Sequence, residues 1–204
     1  EAALKRFPQL TVFGIDRDPS AIALASKRLE AFGQRFRAFH TTYDKMDEVA
    51  AQAPSGMVDG ILMDLGVSSL QLDQEDRGFS YSHDAPLDMR MNPQTGISAA
   101  QLLASASKEE ITRILRVYGE EKFASKIAGR IVATRESEPL TRTSQLAQIV
   151  RDCIPAPARR TGGNPAKRTF QALRIAVNDE LTILEAALPA ALAHLRVGGR
   201  IVIE

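Results

Sequence analysis

The stretch Leu10-Thr-Val-Phe-Gly-Ile-Asp16, followed by Asp18-Pro19, decides the fold class of this chain. Its first six residues form an apolar run with β-branched and aromatic side chains, which indicates a strand that ends at Asp16. Asp18 is a suitable N-cap and Pro19 suits the first helical position, so a helix is predicted to begin at once. A strand that passes directly into a helix is the start of a βα unit.

The alternation of strand and helix continues over the first third of the chain. The first predicted helix has apolar residues at helical spacing between Ile22 and Phe32, and Gly33 is a suitable stop. The next predicted elements are a strand at 35–40, a helix at 44–53 and a strand at 58–63. Strands that alternate with helices pair in parallel, so we predict an α/β fold with a parallel sheet.

From about Ser98 the pattern changes to helices without intervening strands. The capping box Ser107-Lys-Glu-Glu110 opens a helix that Gly119 ends. Two more helices are predicted, at 120–135 and 144–153, followed by a loop rich in Pro, Gly and Arg at 155–168.

The last part of the chain returns to the α/β pattern. A helical stretch runs from Thr169, Pro189 predicts a break or a kink in it, and Gly198-Gly199 leads into a final strand. We therefore expect an α/β domain that is interrupted by a helical insertion. The predicted segments are 1–93 and 178–204 for the α/β domain and 94–177 for the insertion.

Composition excludes several classes of protein. The 204 residues are 44% hydrophobic and 25% charged, and no apolar run approaches the roughly 20 residues of a membrane helix. No secretory signal opens the chain, so we expect a cytosolic protein without a membrane partner. The single cysteine, Cys153, excludes an intrachain disulfide framework, and three scattered histidines argue against a structural metal site.

The net charge of +1 hides an uneven distribution. Residues 1–100 carry 10 basic and 14 acidic side chains, residues 101–178 carry 14 and 7, and residues 179–204 carry 2 and 4. A basic middle segment between two acidic ones favours an anionic partner for the middle segment alone.

Two aspartates stand where a parallel sheet binds its ligands, at the carboxyl ends of strands. Asp16 suits ribose hydroxyls, although a turn or a helix cap is the alternative role. Asp64 is followed by Leu-Gly-Val-Ser-Ser69, which combines a carboxylate, a glycine and two hydroxyls. A tight turn with a serine cap explains that stretch equally well. No P-loop, H-E-x-x-H or G-x-S-x-G motif is found, which argues against an NTPase, a zincin and a serine hydrolase.

Two irregular stretches have functional groups of their own. Between residues 71 and 91, Phe79 and Tyr81 suit base stacking or packing against their own domain, and Asp88 and Arg90 suit substrate or each other. The second stretch, Arg159-Arg160-Thr-Gly-Gly-Asn-Pro-Ala-Lys167-Arg168, has four positive charges and no negative one. It suits phosphate binding, with a solvated loop as the alternative.

Six runs together resemble one family, the bacterial 16S ribosomal RNA cytosine-N4 methyltransferases, also called the RsmH or MraW family. The runs, in order, are Gly14-Ile-Asp-Arg-Asp-Pro19, Gly60-Ile-Leu-Met-Asp-Leu-Gly-Val-Ser-Ser69, Arg77-Gly-Phe79, Pro86-Leu-Asp-Met-Arg-Met91, Tyr118-Gly-Glu-Glu121 and Arg168-Thr-Phe-Gln-Ala-Leu-Arg174. The resemblance spans essentially the whole chain. It implies a Rossmann-like, S-adenosylmethionine-dependent class I methyltransferase with an inserted helical substrate-binding domain, which methylates a decoding-centre cytidine of the small ribosomal subunit.

The resemblance also implies roles for single residues. Asp16 contacts the cofactor ribose, Tyr43 lies beside the adenine, and Asp64 and Gln71 lie near the cofactor's amino-acid end. Asp64 is the candidate catalytic residue, and Arg159, Arg160, Lys167 and Arg168 are the candidate RNA-binding residues. Leu70 stands where close relatives often have proline, so the loop that holds Gln71 is expected to be less rigid.

The chain lacks the family's Gly-Gly-His loop before Glu1 and its Ser-Phe-His-Ser run after Glu204, so we expect a fragment that lacks part of the cofactor site. Two alternatives remain open at this point. A nicotinamide-dependent oxidoreductase would also use the βα alternation and Asp16, and a non-catalytic RNA-binding module would suit the basic middle segment. The oligomeric state has no signature in the sequence.

Overall fold

The computed structural model describes residues 1–159 and 163–204, which form two compact units. The α/β unit consists of Glu1–Gly66 and Glu180–Glu204, and the helical unit consists of Val67–Asp179. The helical unit begins earlier than the predicted insertion, because Phe79, Leu87 and Met89 pack into its core. The domain division at 93/94 stays a prediction.

The described elements follow one another in this order. The helices are α1 (Ala2–Arg6), α2 (Pro19–Leu29), α3 (Met46–Ala50), α4 (Ser69–Asp73), α5 (Ala99–Ser105), α6 (Lys108–Gly119), α7 (Ala124–Arg135), α8 (Thr143–Cys153), α9 (Ala156–Arg159), α10 (Lys167–Val177) and α11 (Glu180–His194). The strands are β1 (Val12–Asp16), β2 (Phe36–His40), β3 (Val58–Met63) and β4 (Leu195–Ile203). Short 3₁₀ turns lie at Glu30–Arg35, Tyr43–Lys45, Pro54–Gly56 and Glu75–Arg77.

The α/β unit is built from two parallel strand pairs, which confirms the prediction of a mixed α/β fold with parallel strands. β1 pairs with β2 from Val12 opposite Phe36 to Asp16 opposite His40, and β3 pairs with β4. As predicted, Asp18 caps α2, since its carboxylate accepts the backbone N–H of Ser20 at 2.9 Å. A small apolar cluster forms the core of the unit, with Met46, Met63, Ala187 and Ala191 buried at its centre.

Some predicted helix boundaries differ from the structure. The prediction at Pro189 was a break or a kink, and the helix does not break there, because Pro189 lies inside α11. The break comes at Asn178-Asp179, where Asp179 has a positive φ of 49° and the buried Asn178 amide donates to the carbonyl oxygens of Arg174 and Met89. The helix predicted at 120–135 begins only at Ala124, because Glu120 is left-handed and ends α6.

In the helical unit, four of the six family-like runs pack against each other in pairs. Gly119 lies so close to α10 that a Cβ there would be 2.5 Å from the Arg168 carbonyl oxygen, and the Arg168 guanidinium donates to the Glu120 carbonyl at 2.8 Å. Gly78 has a φ of 72°, and a Cβ on it would overlap the Pro86 carbonyl. These two glycines are therefore required by close backbone approach.

Replacing Gly119 by alanine is expected to destabilise the protein by about 1–3 kcal/mol, since the added methyl would meet the α10 backbone and the Ala172 Cβ. Gly129 in the middle of α7 is the matched control, because its nearest neighbour, the Lys108 side chain, lies at an ordinary 3.5 Å. Gly129→Ala is expected to stabilise by about 0.5–1 kcal/mol through helix propensity. Urea unfolding of both variants measures this, and equal effects would contradict the close packing of α6 on α10.

Candidate functional site

Asp16 is the last residue of β1 and lies half-buried at the carboxyl end of the β1–β2 pair. Its Oδ1 accepts the backbone N–H of Asp18 at 2.7 Å, which fixes the carboxylate at the turn between β1 and α2. Burial raises the pKa of Asp16 above its usual value. A partly desolvated carboxylate at a strand end is a strong hydrogen-bond acceptor for ligand hydroxyls.

Tyr43 begins the 3₁₀ turn that follows β2, at the same end of the strand pair as Asp16. Its ring packs against the apolar cluster of the α/β unit, and its hydroxyl donates to the Glu180 carbonyl at 3.3 Å. Burial also raises the pKa of Tyr43. The chain thus places an aromatic ring beside the strand end that presents Asp16.

Asp44, the neighbour of Tyr43, is a candidate site residue that the sequence analysis missed. Its Oδ1 is buried and accepts no hydrogen bond within the described part of the chain. A buried oxygen without a donor costs about 1–3 kcal/mol, which a ligand N–H would recover. From the sequence, Asp44 was predicted only as the first residue of a helix. The feature that could have indicated a site is an acidic residue with an aromatic neighbour shortly after the strand.

Asp64 follows the last residue of β3 and is exposed to solvent. Its carboxylate forms no ion pair or hydrogen bond with any residue that the structure describes. The backbone around it is fixed, because Glu204 N–H donates to the Met63 carbonyl at 2.9 Å and Leu65 N–H donates to the Glu204 carbonyl at 3.0 Å. Asp64 is therefore an available charge on a rigid support.

One apolar cluster supports both strand ends. Ile15 directly precedes Asp16 and Met63 directly precedes Asp64, and both of these apolar residues belong to the cluster that also holds the Tyr43 ring. The α/β unit thus joins Tyr43 and the residues before Asp16 and Asp64 in one cluster. Two carboxylates and an aromatic ring are therefore the candidate ligand-binding groups of this unit.

Gln71 lies in the other unit and has a local structural role. It is the third residue of α4, where its side-chain oxygen accepts the Ser68 N–H at 3.1 Å and the Ser68 hydroxyl accepts the Gln71 N–H at 3.3 Å. Gln71 is buried and forms a capping box. Gln71 belongs to the helical unit, and its place near the cofactor's amino-acid end stays a prediction.

The basic residues of the 155–168 loop are only partly described. Arg160 lies outside the described residues, and Arg159 is the last residue of α9. Lys167 and Arg168 open α10 on its exposed side, and Arg168 uses one nitrogen for the Glu120 carbonyl. The Lys167 side chain has no hydrogen bond or ion pair with the described residues.

The other groups considered between residues 71 and 91 are satisfied within the helical unit. The Tyr81 ring meets the Phe170 ring edge-on at 5.7 Å, and Phe79 is buried in the core. Arg90 and Asp88 form a bidentate ion pair with two contacts of 2.7 Å. For these four residues the structure favours the local alternative over a ligand contact.

Two further classes of site find no support in the described ranges 1–159 and 163–204. No group of three or more His, Cys, Asp or Glu side chains there is arranged to hold a metal ion. None of the helices in these ranges has the length and apolar character needed to span a membrane.

Comparison with known proteins places the chain in one family. The family model described as the MraW methylase family matches residues 1–204. Three curated relatives bear the name ribosomal RNA small subunit methyltransferase H: one from Beutenbergia cavernae, 61% identical over 204 residues, one from Mycolicibacterium smegmatis, 57% over 203, and one from Nocardioides sp., 55% over 204. All of the chain is covered in each case, together with 61%, 54% and 64% of the respective relative. The chain belongs to the MraW methylase family.

Proposed function

We propose that the protein transfers a methyl group from S-adenosylmethionine to the N4 amine of a cytidine in the decoding centre of 16S ribosomal RNA. The observation that carries the proposal is that Ile15 and Met63, the residues before Asp16 and Asp64 at the ends of parallel strands, share one apolar cluster with the Tyr43 ring. Family membership supports methyl transfer over the oxidoreductase and the non-catalytic module. The relatives' name supports RNA of the small ribosomal subunit as substrate.

The proposed architecture is a Rossmann-like class I methyltransferase sheet at 1–93 and 178–204, interrupted by a helical substrate-binding domain at 94–177. The parallel pairs β1–β2 and β3–β4 and the compact helical unit support it. The partners are the 16S ribosomal RNA and the small subunit.

The side chains of the α/β unit fit the polar groups of S-adenosylmethionine. The Asp16 carboxylate would accept the ribose hydroxyls, and the buried Asp44 Oδ1 would accept an N–H of the adenine amine. The Tyr43 ring would cover the adenine, and Asp64 would pair with the cofactor's ammonium group. When bound, the cofactor supplies an electrophilic methyl group on a sulfonium.

A cytosine amine is a weak nucleophile, because its lone pair is delocalised into the ring. The protein must hold the amine in line with the methyl group, and positioning contributes much of the rate. A carboxylate that accepts one amine N–H stabilises the growing positive charge and then receives the proton. Asp64 is the proposed acceptor, as the alternative to its pairing with the cofactor's ammonium group, since it is exposed at the strand end and its side chain has no partner among the described residues.

Two measurements test this function. The first is calorimetric titration of S-adenosylmethionine into the chain and into a longer version with the flanking segments of the curated relatives. The second is transfer of a labelled methyl group to small ribosomal subunits, followed by nucleoside analysis. We expect N4-methylcytidine as the labelled product. A longer version that binds no cofactor would refute the proposal, and a different labelled nucleoside would refute the target.

We also propose that Arg159, Arg160, Lys167 and Arg168 bind RNA phosphates. Changing all four to glutamine is expected to weaken RNA binding. The negative slope of log K against log salt should become shallower by about 3, at roughly 0.7–0.9 per phosphate contact. A triple variant that keeps Arg168 is the control, because Arg168 also bonds to the Glu120 carbonyl. An unchanged slope in both variants would refute the role of this loop.

A further inference from the structure

A second basic surface lies on the helical unit, on the outer faces of α6 and α7. An open hollow of about 550 Å³ is lined along α6 by Lys108, Arg113 and Arg116 and across from them by Ser125. A second open hollow of about 450 Å³ is lined along α7 by Lys126 and Arg130. We call the two hollows together the basic groove.

The Lys108 side chain joins the two hollows. It lines the first hollow, while Gly129 lines the second. A Cβ built on Gly129 would lie 3.5 Å from the Lys108 Cε, so this side chain extends across the α7 surface at that point. The groove is therefore one continuous strip over two neighbouring helices.

Most of the cations in the basic groove are not neutralised. The side chains of Lys108, Arg116 and Arg130 are exposed and form no ion pair or hydrogen bond with the described residues, and the Arg113 guanidinium has only the Tyr118 ring among them, at 5.8 Å. Lys126 is the exception, since it donates to the Cys153 carbonyl at 2.9 Å. Five cations line the groove, against the two carboxylates of Glu109 and Asp152.

Unneutralised like charges on one strip repel each other and leave a positive potential that attracts a polyanion. The groove also has hydroxyl groups, from Thr112 and Ser125, which commonly donate to phosphate oxygens. From Lys108 to Arg116 the α6 axis rises by about 12 Å, at roughly 1.5 Å per residue, so the cations of the first hollow are spread along a line. A linear row of charges suits a nucleic-acid backbone.

We propose that the basic groove binds the phosphate backbone of the RNA substrate, in addition to the loop at 155–168. The proposal rests on the proposed function, since it takes the substrate to be ribosomal RNA. Anionic lipid is the less suitable partner, because among the described residues Val117 is the only large apolar side chain that lines the first hollow and none lines the second. A membrane-binding face would need a broad apolar surface beside the charges.

The test compares two triple variants with the same change in charge. Arg113, Arg116 and Arg130 are changed to glutamine in the groove variant, and Arg6, Lys27 and Arg28 on α1 and α2 are changed in the control. Binding to 16S RNA is measured against salt concentration. In the groove variant the negative slope of log K against log salt is expected to become shallower by about 2, and the RNA affinity is expected to fall by roughly 10- to 100-fold. The control should keep the wild-type slope, and both variants should keep the wild-type melting temperature and cofactor affinity.

The possible results separate the groove from the proposed function. A groove variant with the slope of the control overturns the groove, and if wild-type protein still methylates the subunit the proposed function stands. A groove variant that no longer binds vesicles of phosphatidylglycerol but binds RNA like the wild type also overturns the groove as an RNA-binding surface, in favour of a lipid partner. Wild-type protein that neither binds RNA nor methylates the subunit overturns both proposals.

Discussion

Asp64→Ala is expected to abolish methyl transfer to the small ribosomal subunit, with kcat lowered by roughly 10²–10⁴-fold. The carboxylate stands at the end of β3 on a backbone that Glu204 fixes from both sides, and it has no partner among the described residues. In the proposed reaction it accepts a proton from the target amine or holds the cofactor's ammonium group. Either role requires the charge, so Asp64→Asn should lose most of the activity as well.

Asp59→Ala is the matched control for this prediction. Asp59 lies on the same strand, is exposed, and forms a surface ion pair with Arg196 at 2.8 Å. Removal of such an exposed pair costs at most about 1 kcal/mol of stability and should leave turnover unchanged. Single-turnover rates at saturating cofactor, together with the cofactor Kd, separate the two roles of Asp64. Near-normal turnover and an unchanged Kd in Asp64→Ala would remove it from both.

The local βα pattern was predictable because short-range chemistry determines it. The run that ends at Asp16 forms β1, and Asp18-Pro19 starts α2 with the expected cap. The Ser107 cap of α6 was also confirmed, since its hydroxyl accepts the Glu110 N–H at 3.1 Å. These features depend on neighbours within four residues, which the sequence displays directly.

Features that depend on long-range contacts were not predictable. The sequence predicts a break or a kink at Pro189, but the helical stretch breaks at Asn178, whose amide bonds to Met89 and Met91 far back in the sequence. The orphaned oxygen of Asp44 is visible only once the surroundings of the 3₁₀ turn are folded. The sequence predicts Gly119 only as a helix stop, because the α10 backbone that it touches lies about fifty residues later.

The candidate site also has a part that local sequence predicts and a part that it does not. Asp16 and Asp64 could be predicted as candidates because strand ends are where parallel sheets bind ligands, and that rule needs only the order of elements. Their common support by one cluster required the packing of Ile15 and Met63. The role of Gln71 in the α4 capping box follows a local rule that the sequence already satisfied, with Ser68 three residues before it.

Asp16→Ala is expected to weaken S-adenosylmethionine binding by roughly 10²–10⁴-fold, and Asp16→Asn by about tenfold. The alanine variant loses two charge-assisted hydrogen bonds to the ribose, each worth roughly 1.5–3 kcal/mol, while asparagine keeps one neutral acceptor. Calorimetric titration of the longer version measures both. The control is Glu48→Gln on α3, which also replaces a carboxylate by an amide, as Asp16→Asn does, but at an exposed position of the same unit. This variant should bind the cofactor normally.

Asp16→Asn, which is expected to weaken cofactor binding, should make the folded protein more stable. Burial raises the pKa of Asp16 above the ordinary 3.8, so the folded state disfavours its charged form. The wild-type protein therefore loses stability, relative to a neutral side chain, as the pH rises through 3.8 towards the folded pKa. Asp16→Asn should thus raise the melting temperature at neutral pH and have little effect below pH 3.8. If Asp16→Asn lowers the stability and leaves the cofactor affinity normal, Asp16 is a structural residue of the β1 turn. The expected combination of higher stability and weaker cofactor binding identifies a charge that is retained for its ligand.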